Sequence, residues 1–162
     1  MKSLYLVRHA EAVSQHVSQR DSDRPLHESG REDVLRMVQQ LIRWPKPMGI
    51  ISSPAIRAKE TATILATGMA FPVSDIIVDE RIYEAELEDL LIVLGAVDNN
   101  VSCQMLVGHN PGLTQLVNAL AHCDIGNMPT CSMAVLHIPS DSWGDLGIAK
   151  AKLQDFTYPG KG

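Results

Sequence analysis

The chain has 162 residues, 45% of them hydrophobic and 20% charged, which suits one globular domain with a sizeable core spanning residues 1–162. A formal net charge of −5 offers no electrostatic footprint for nucleic acid or an anionic membrane surface. No apolar run reaches the roughly 18 residues of a spanning helix, and Met1-Lys2-Ser3, followed at once by a strand with an internal Arg-His, does not resemble a signal peptide.

Strand-length apolar runs alternate with segments of helical period, which predicts an α/β fold. The first strand is expected over Ser3–Val7, followed by a polar stretch from Ser14 to Glu28 containing Arg24-Pro25-Leu26. That stretch is long for a loop in a compact domain, and such loops are usually functional or mobile. A helix is predicted from Gly30 to Trp44, with Val34, Leu35, Val38, Leu41 and Ile42 on its buried face. Ser29 and Glu32 have the spacing of a capping box, and Pro45 ends the helix. Met48–Ser52 reads as the second strand, and Ser53-Pro54 as the cap and first-turn proline of a helix that stops at Gly68. A short strand Ile76–Val78, a helix Leu87–Val97 and a strand Ser102–Val107 follow. Asn110-Pro111 repeats the cap-plus-proline start for a helix through Leu113, Leu116, Val117 and Leu120. Met133–Ile138 and Ile148–Phe156 read as two last strands, with Lys150 and Lys152 of an edge strand facing water. The closing Pro-Gly-Lys-Gly is expected to fray.

Three strand ends carry groups suited to chemistry. The first gives Arg8 and His9, the second Arg57 in the turn after Ser53-Pro54, and the third His109 before Asn110-Pro111. If these strands are parallel, all three ends open on one edge of the sheet, where open α/β folds bind ligands. Helix N-termini there add N–H donors and partial positive charge. Two arginines and two histidines in that setting suit a phosphoryl group. Each alone has a plain alternative: a chance Arg-His pair, a solvated helix arginine, a turn histidine.

Together the motifs resemble the histidine phosphatase (phosphoglycerate mutase-like) superfamily. Leu6-Val7-Arg8-His9-Ala10-Glu11-Ala12 is similar to its Arg-His signature, and Arg24-Pro25-Leu26 with Gly30 to the segment that follows it. Ser52 to Ala62 is similar to the second arginine motif, and Val107-Gly108-His109-Asn110-Pro111 to the second histidine motif. Order, spacing and length resemble the small phosphohistidine phosphatases of SixA type, which lack inserted lid domains. One departure is Ala10, where the superfamily usually has glycine; a β-carbon there needs an ordinary negative φ or mild left-handed strain. The resemblance implies a mostly parallel central sheet with helices on both faces and no lid.

It also implies roles. His9 would be the nucleophile that takes the phosphoryl group, while Arg8, Arg57 and His109 would hold the non-bridging oxygens. Glu84, after the short third strand, stands where the superfamily often draws its general acid; alternatively it caps the Glu86–Leu91 helix. Arg24 would add a phosphate contact at the rim, or else pair with Asp21 or Asp23. The other histidines have plain readings: His16 and His27 in polar loop, His122 at a helix end, His137 within a strand. No His-Glu-x-x-His or Cys-x-x-Cys spacing occurs, so no metal or cofactor is expected. Cys103, Cys123 and Cys131 lack metal-like spacing and read as reduced apolar residues of a cytoplasmic protein.

The functional expectation is a metal-independent phosphatase acting on phosphohistidine of a protein, such as a histidine phosphotransfer domain, through an open pocket. A phosphomonoesterase for small phosphorylated metabolites is the alternative, and a non-catalytic phosphate-binding regulatory module the third reading. Mutase activity is less favoured, because keeping an intermediate between two transfers calls for a closed, dry site. No nucleic-acid or membrane partner is expected.

Overall fold

The computed structural model describes residues 1–160, so the expectation of fraying falls partly on residues 161 and 162, outside that range. The elements are β1 (Lys2–Arg8), α1 (Glu28–Leu41), β2 (Gly49–Ser52), α2 (Ile56–Gly68), β3 (Ile77–Val78), α3 (Leu87–Gly95), β4 (Cys103–Gly108), α4 (Gly112–Ala121), β5 (Met133–Ile138) and β6 (Lys152–Thr157). They form one six-stranded sheet in the order β3-β2-β4-β1-β5-β6. The first four strands run parallel, while β5 lies antiparallel to β1 and β6 antiparallel to β5.

The middle positions of the central strands, Leu4 to Val7 of β1, Ile50 and Ile51 of β2 and Met105 to Val107 of β4, are all apolar because both sheet faces are covered. Tyr5 and Val7 of β1 pack with Val34, Met37 and Leu41 of α1 and with Ala58, Ala62 and Leu65 of α2. Leu4 and Leu6 point the other way, into Leu90 and Leu94 of α3 and Leu113, Leu116 and Val117 of α4. This is the expected α/β architecture, with a mostly parallel sheet and helices on both faces. Among the described residues no helix is long and apolar enough to cross a membrane.

Several boundaries differ from expectation, each for a local reason. α1 starts at Glu28, capped by His27, whose Nδ1 accepts from the Ser29 N–H at 3.1 Å. Ser29 turns its hydroxyl to Glu11 at 2.7 Å, so the Ser29/Glu32 capping box does not form. The buried stripe is Gly30, Val34, Met37 and Leu41, stepping by four, three and four. Leu35 and Ile42 lie one step of about 100° off that stripe and are 60% and 82% exposed. Beyond Leu41 the chain tightens into turn bonds, Arg43 N to Gln40 O and Trp44 N to Leu41 O, and leaves the helix.

α2 begins at Ile56 with Ala55 as its cap, because the Ser53 hydroxyl accepts from Ala55 N and closes the preceding turn instead. Gly68 is the last residue of α2, as expected, and it also has a packing role. It lies in the last turn of α2, where a β-carbon would meet Val38 at 2.6 Å, so it lets α1 and α2 approach. α4 begins after Pro111, with Asn110 Oδ1 accepting from Thr114 N and Oγ1. β3 shrinks to two exposed residues and α3 ends at Gly95. β6 starts at Lys152 because residues 148 and 149 turn back onto Asp145 O; Lys150 and Lys152 are both exposed.

The long loop after β1 is pinned rather than free. Ala12 bridges Leu26, Val13 N donates to Pro25 O, and Leu26 N donates to Glu60. A β-carbon on Gly30 would lie 2.3 Å from Glu11 O, so only glycine admits the start of α1 this close to the chain leaving β1.

Candidate active site

Parallel β1, β2 and β4 end side by side, with Arg8 in register with Gly108 and Ser52 with Val107. Arg8 is the last residue of β1, so His9 and His109 each follow a central strand, and Arg57 enters from the first turn of α2. The backbone holds His9 firmly: its N–H donates to Gly108 O, and Cys131 N–H donates to the carbonyls of Arg8 and His9. Ala10, fully buried, gives its N–H to Thr61 Oγ1 and is not among the residues with positive φ. The alanine in place of the usual glycine therefore sits in ordinary backbone.

His9 is 8% exposed. Its Nδ1–H donates to Ala10 O at 2.7 Å, and its Nε2 accepts from Arg57 Nε at 3.4 Å. Both contacts specify the same tautomer, with a lone pair on Nε2. Burial lowers its pKa to about 4; the bond to Ala10 opposes this, and the charges of Arg57, Arg8 and Arg24 add to it. His109 is tilted against it, with ring centroids 5.0 Å apart. Its Nε2–H donates to Ser53 Oγ at 2.7 Å, and its Nδ1 accepts from Arg57 Nη2 at 3.5 Å. Burial, then the proximity of His9 and Arg57, bring its pKa to about 3. Arg8 gives Nη1 to Met128 O, while its buried Nε has no hydrogen-bond partner among the described residues.

The structure thus gathers Arg8, His9, Arg57 and His109 into one pocket. It places Arg24 beside them but commits all three of its nitrogens elsewhere: Nε and Nη2 to Asp21 Oδ1, and Nη1 to Val13 O. Of the two readings for Arg24, the ion pair is the one formed. Glu84 does not cap α3; that task falls to Glu86, which exchanges bonds with Asp89. Glu84 instead adopts a left-handed φ of 53° and lines a cleft of about 560 Å³ with Glu86, Glu88, His109, Asn110 and Gln115. Neither His9 nor Arg57 lines that cleft, so it adjoins the pocket on the His109 side.

Asp21 is the residue that sequence reasoning undervalued, having appeared only as a partner for Arg24. It lies in a 3-10 turn, Asp21–Asp23, of the loop after β1. Its carboxylate also accepts from Arg57 Nη2 at 3.0 Å and from the Tyr83 hydroxyl at 2.6 Å. These bonds, first that of Tyr83, then those of Arg24 and Arg57, hold its pKa far below the usual carboxylate range. Tyr83 is pushed up to about 12 by the same bond, and its ring stands edge-on to His109 at 5.6 Å. Loop length was the one sequence signal pointing here; periodicity carries none. Among the described residues no group of three or more His, Cys, Asp or Glu side chains is placed to hold a metal ion. His27 caps α1, and His122 closes α4 in a left-handed turn.

Comparison with known proteins agrees with this fold. A family model described as histidine phosphatase superfamily (branch 1) matches residues 4–91. A solved structure of a candidate phosphohistidine phosphatase SixA from Agrobacterium tumefaciens is 28% identical and superposes with a TM-score of 0.83, covering 98% of each chain. A SixA candidate from Nakamurella multipartitia is 25% identical with a TM-score of 0.80, covering 99% of this chain and 97% of that one. An uncharacterized chloroplastic protein of Arabidopsis thaliana is 28% identical over 154 residues, 88% of this chain and 69% of its own. With residues 4–91 matched and the whole sheet superposed on SixA-type folds, this chain belongs to the histidine phosphatase superfamily and to its SixA-type branch.

Proposed function

We propose that the protein hydrolyses phosphohistidine on another protein, through a phosphoryl-enzyme formed on His9. The observation that carries this reading is the tautomer of His9: a buried imidazole, neutral near pH 7, with Nδ1 fixed on Ala10 O and a lone pair on Nε2. A pocket built only to bind phosphate has no need of such a nucleophile.

In the first step His9 Nε2 attacks phosphorus, the P–N bond to the substrate imidazole breaks, and the phosphoryl group passes to His9. Arg8, Arg57 and His109 stand around the equatorial oxygens and stabilise the charge spread over them in flight. A dianion also favours a protonated His109, so binding raises the pKa that burial had lowered. In the second step water attacks phospho-His9, releases inorganic phosphate and restores the imidazole.

Imidazole leaving a ring-protonated phosphohistidine departs neutral and needs little acid help, whereas an alkoxide needs a proton in the transition state. The cleft that joins Glu84 to His109 favours a second reading, a phosphomonoesterase for small metabolites with Glu84 as proton donor. Incubation with a phosphohistidine protein, sugar phosphates and p-nitrophenyl phosphate, with and without chelator, tests the choice. Protein-selective, chelator-insensitive hydrolysis is expected. Preference for sugar phosphates would establish the second reading, and phosphate binding without turnover of any substrate would refute both.

A further inference from the structure

Arg57 presents two different edges of its guanidinium to two different sets of partners. The Nε/Nη2 edge faces the histidines, with Nε on His9 Nε2 and Nη2 on His109 Nδ1. The Nη1/Nη2 edge faces Asp21, with Nη1 on the Asp21 carbonyl at 2.9 Å and Nη2 on Oδ2 at 3.0 Å. The first edge meets only neutral imidazole lone pairs at 3.4 and 3.5 Å, contacts that a phosphoryl oxygen displaces readily. The second is gripped by a carboxylate and a carbonyl at ordinary hydrogen-bond lengths.

We propose that Asp21 is a positioning residue that aims the Nε/Nη2 edge of Arg57 at His9 Nε2 and His109 Nδ1, where the phosphoryl oxygens would arrive; the inference rests on the phosphatase reading of this pocket. Asp21 is itself held on two further sides. Arg24 Nε and Nη2 converge on Oδ1, and the Tyr83 hydroxyl shares Oδ2 with Arg57. Arg24 therefore acts through Asp21 rather than on the phosphoryl group, and Tyr83 links the loop after β1 to the segment that carries Glu84. Asp21 is not a stand-in for the substrate's phosphate. A stand-in would occupy the edge facing the histidines, and Asp21 occupies the other one. Its side chain is 37% exposed while that of Arg57 is 7% exposed, so the carboxylate reaches in from the loop to a buried cation. Leaving that guanidinium without its anchor costs geometry before it costs fold, because Asp21 sits on a partly exposed turn.

The test compares Asp21→Asn, Tyr83→Phe, Arg57→Ala and the double variant Asp21→Asn/Arg57→Ala. The readouts are kcat/KM on a phosphohistidine protein, the Kd for inorganic phosphate, and a crystal structure of Asp21→Asn. A misplacement of about an ångström at a clamp costs about 10²-fold in rate, so Asp21→Asn should lose 10- to 100-fold in kcat/KM, with weaker phosphate binding. Tyr83→Phe should lose severalfold. In the Arg57→Ala background, Asp21→Asn should change rate less than about twofold, since residues acting through one another are non-additive. Tighter phosphate binding by Asp21→Asn would make Asp21 a competitor and overturn the inference. So would full additivity with Arg57→Ala, or an unmoved Nε/Nη2 edge in the Asp21→Asn structure. If the native protein turns over no phosphorylated substrate, the phosphatase reading fails, and the crystal structure still decides whether Asp21 places Arg57.

Discussion

The floor of the pocket and its wall are built differently. The floor, His9, Arg57 and His109, stands on the ends of two parallel strands and the first turn of α2, and its groups are largely buried. The wall, Asp21, Arg24, Tyr83 and Glu84, comes from irregular segments and is half-buried or exposed. In the proposed mechanism floor groups surround the place of the phosphoryl group, which is the same in every phosphorylated substrate. In the same proposed mechanism wall groups either brace the floor, the part assigned to Asp21, or face the leaving group, the part assigned to Glu84. Chemistry common to all substrates thus rests on the rigid sheet, and substrate preference on loops that can vary without disturbing it.

The largest expected effect breaks the floor at its nucleophile. His9→Ala should lower kcat by roughly 10⁴-fold or more, the scale on which removing a nucleophile acts, with the fold intact by circular dichroism. Next comes the clamp: Arg57→Ala or His109→Ala should each cost on the order of 10²–10³ in rate, as removal of one oxyanion donor does. Steady-state assays on a single substrate measure both. The wall behaves differently, because its effect depends on the substrate. Glu84→Gln should slow alkyl phosphate esters by about 10²-fold, at the low end of general-acid effects, and leave phosphohistidine nearly unchanged. Equal losses on both substrates would erase the proposed division between floor and wall.

The smallest effect concerns stability against pH. His9 and His109 titrate at about 4 and about 3 in the folded chain, below their ordinary value of 6.5. As pH falls below about 6.5 the unfolded chain takes up these protons before the folded chain does, so stability declines from there toward pH 4 and below. Melting temperature should therefore drop between pH 7 and pH 5, and His109→Ala should flatten that slope. A melting temperature independent of pH over this range would mean that the two imidazoles are not held neutral by burial.

How much of this was readable in the chain follows the same division. The apolar runs ending in Arg8-His9 and Gly108-His109 read as buried strands, and their parallel pairing, a condition in the sequence and present in the structure, puts both histidines on one sheet edge. Ser53-Pro54 located Arg57 near a helix start, although the cap itself fell at Ala55. Asp21 left no comparable trace. Its role arises from a turn of three residues and from contacts 36 and 62 positions away along the chain. Local pattern carries no record of such pairing. The exposed Leu35 and Ile42 teach a related lesson: apolar identity suggested the buried face of α1, but the close approach at Gly30 determined its rotation.

The central claim is that His9 carries the phosphoryl group on Nε2. Rapid quenching of the enzyme with a phosphohistidine protein, followed by peptide mapping and ³¹P NMR of the labelled peptide, tests it most directly. The account predicts an acid-labile, alkali-stable phosphoryl group on the His9 peptide, attached at Nε2 and absent from His9→Ala. Attachment at Nδ1 or at another residue, or turnover by His9→Ala at the native rate, would contradict it.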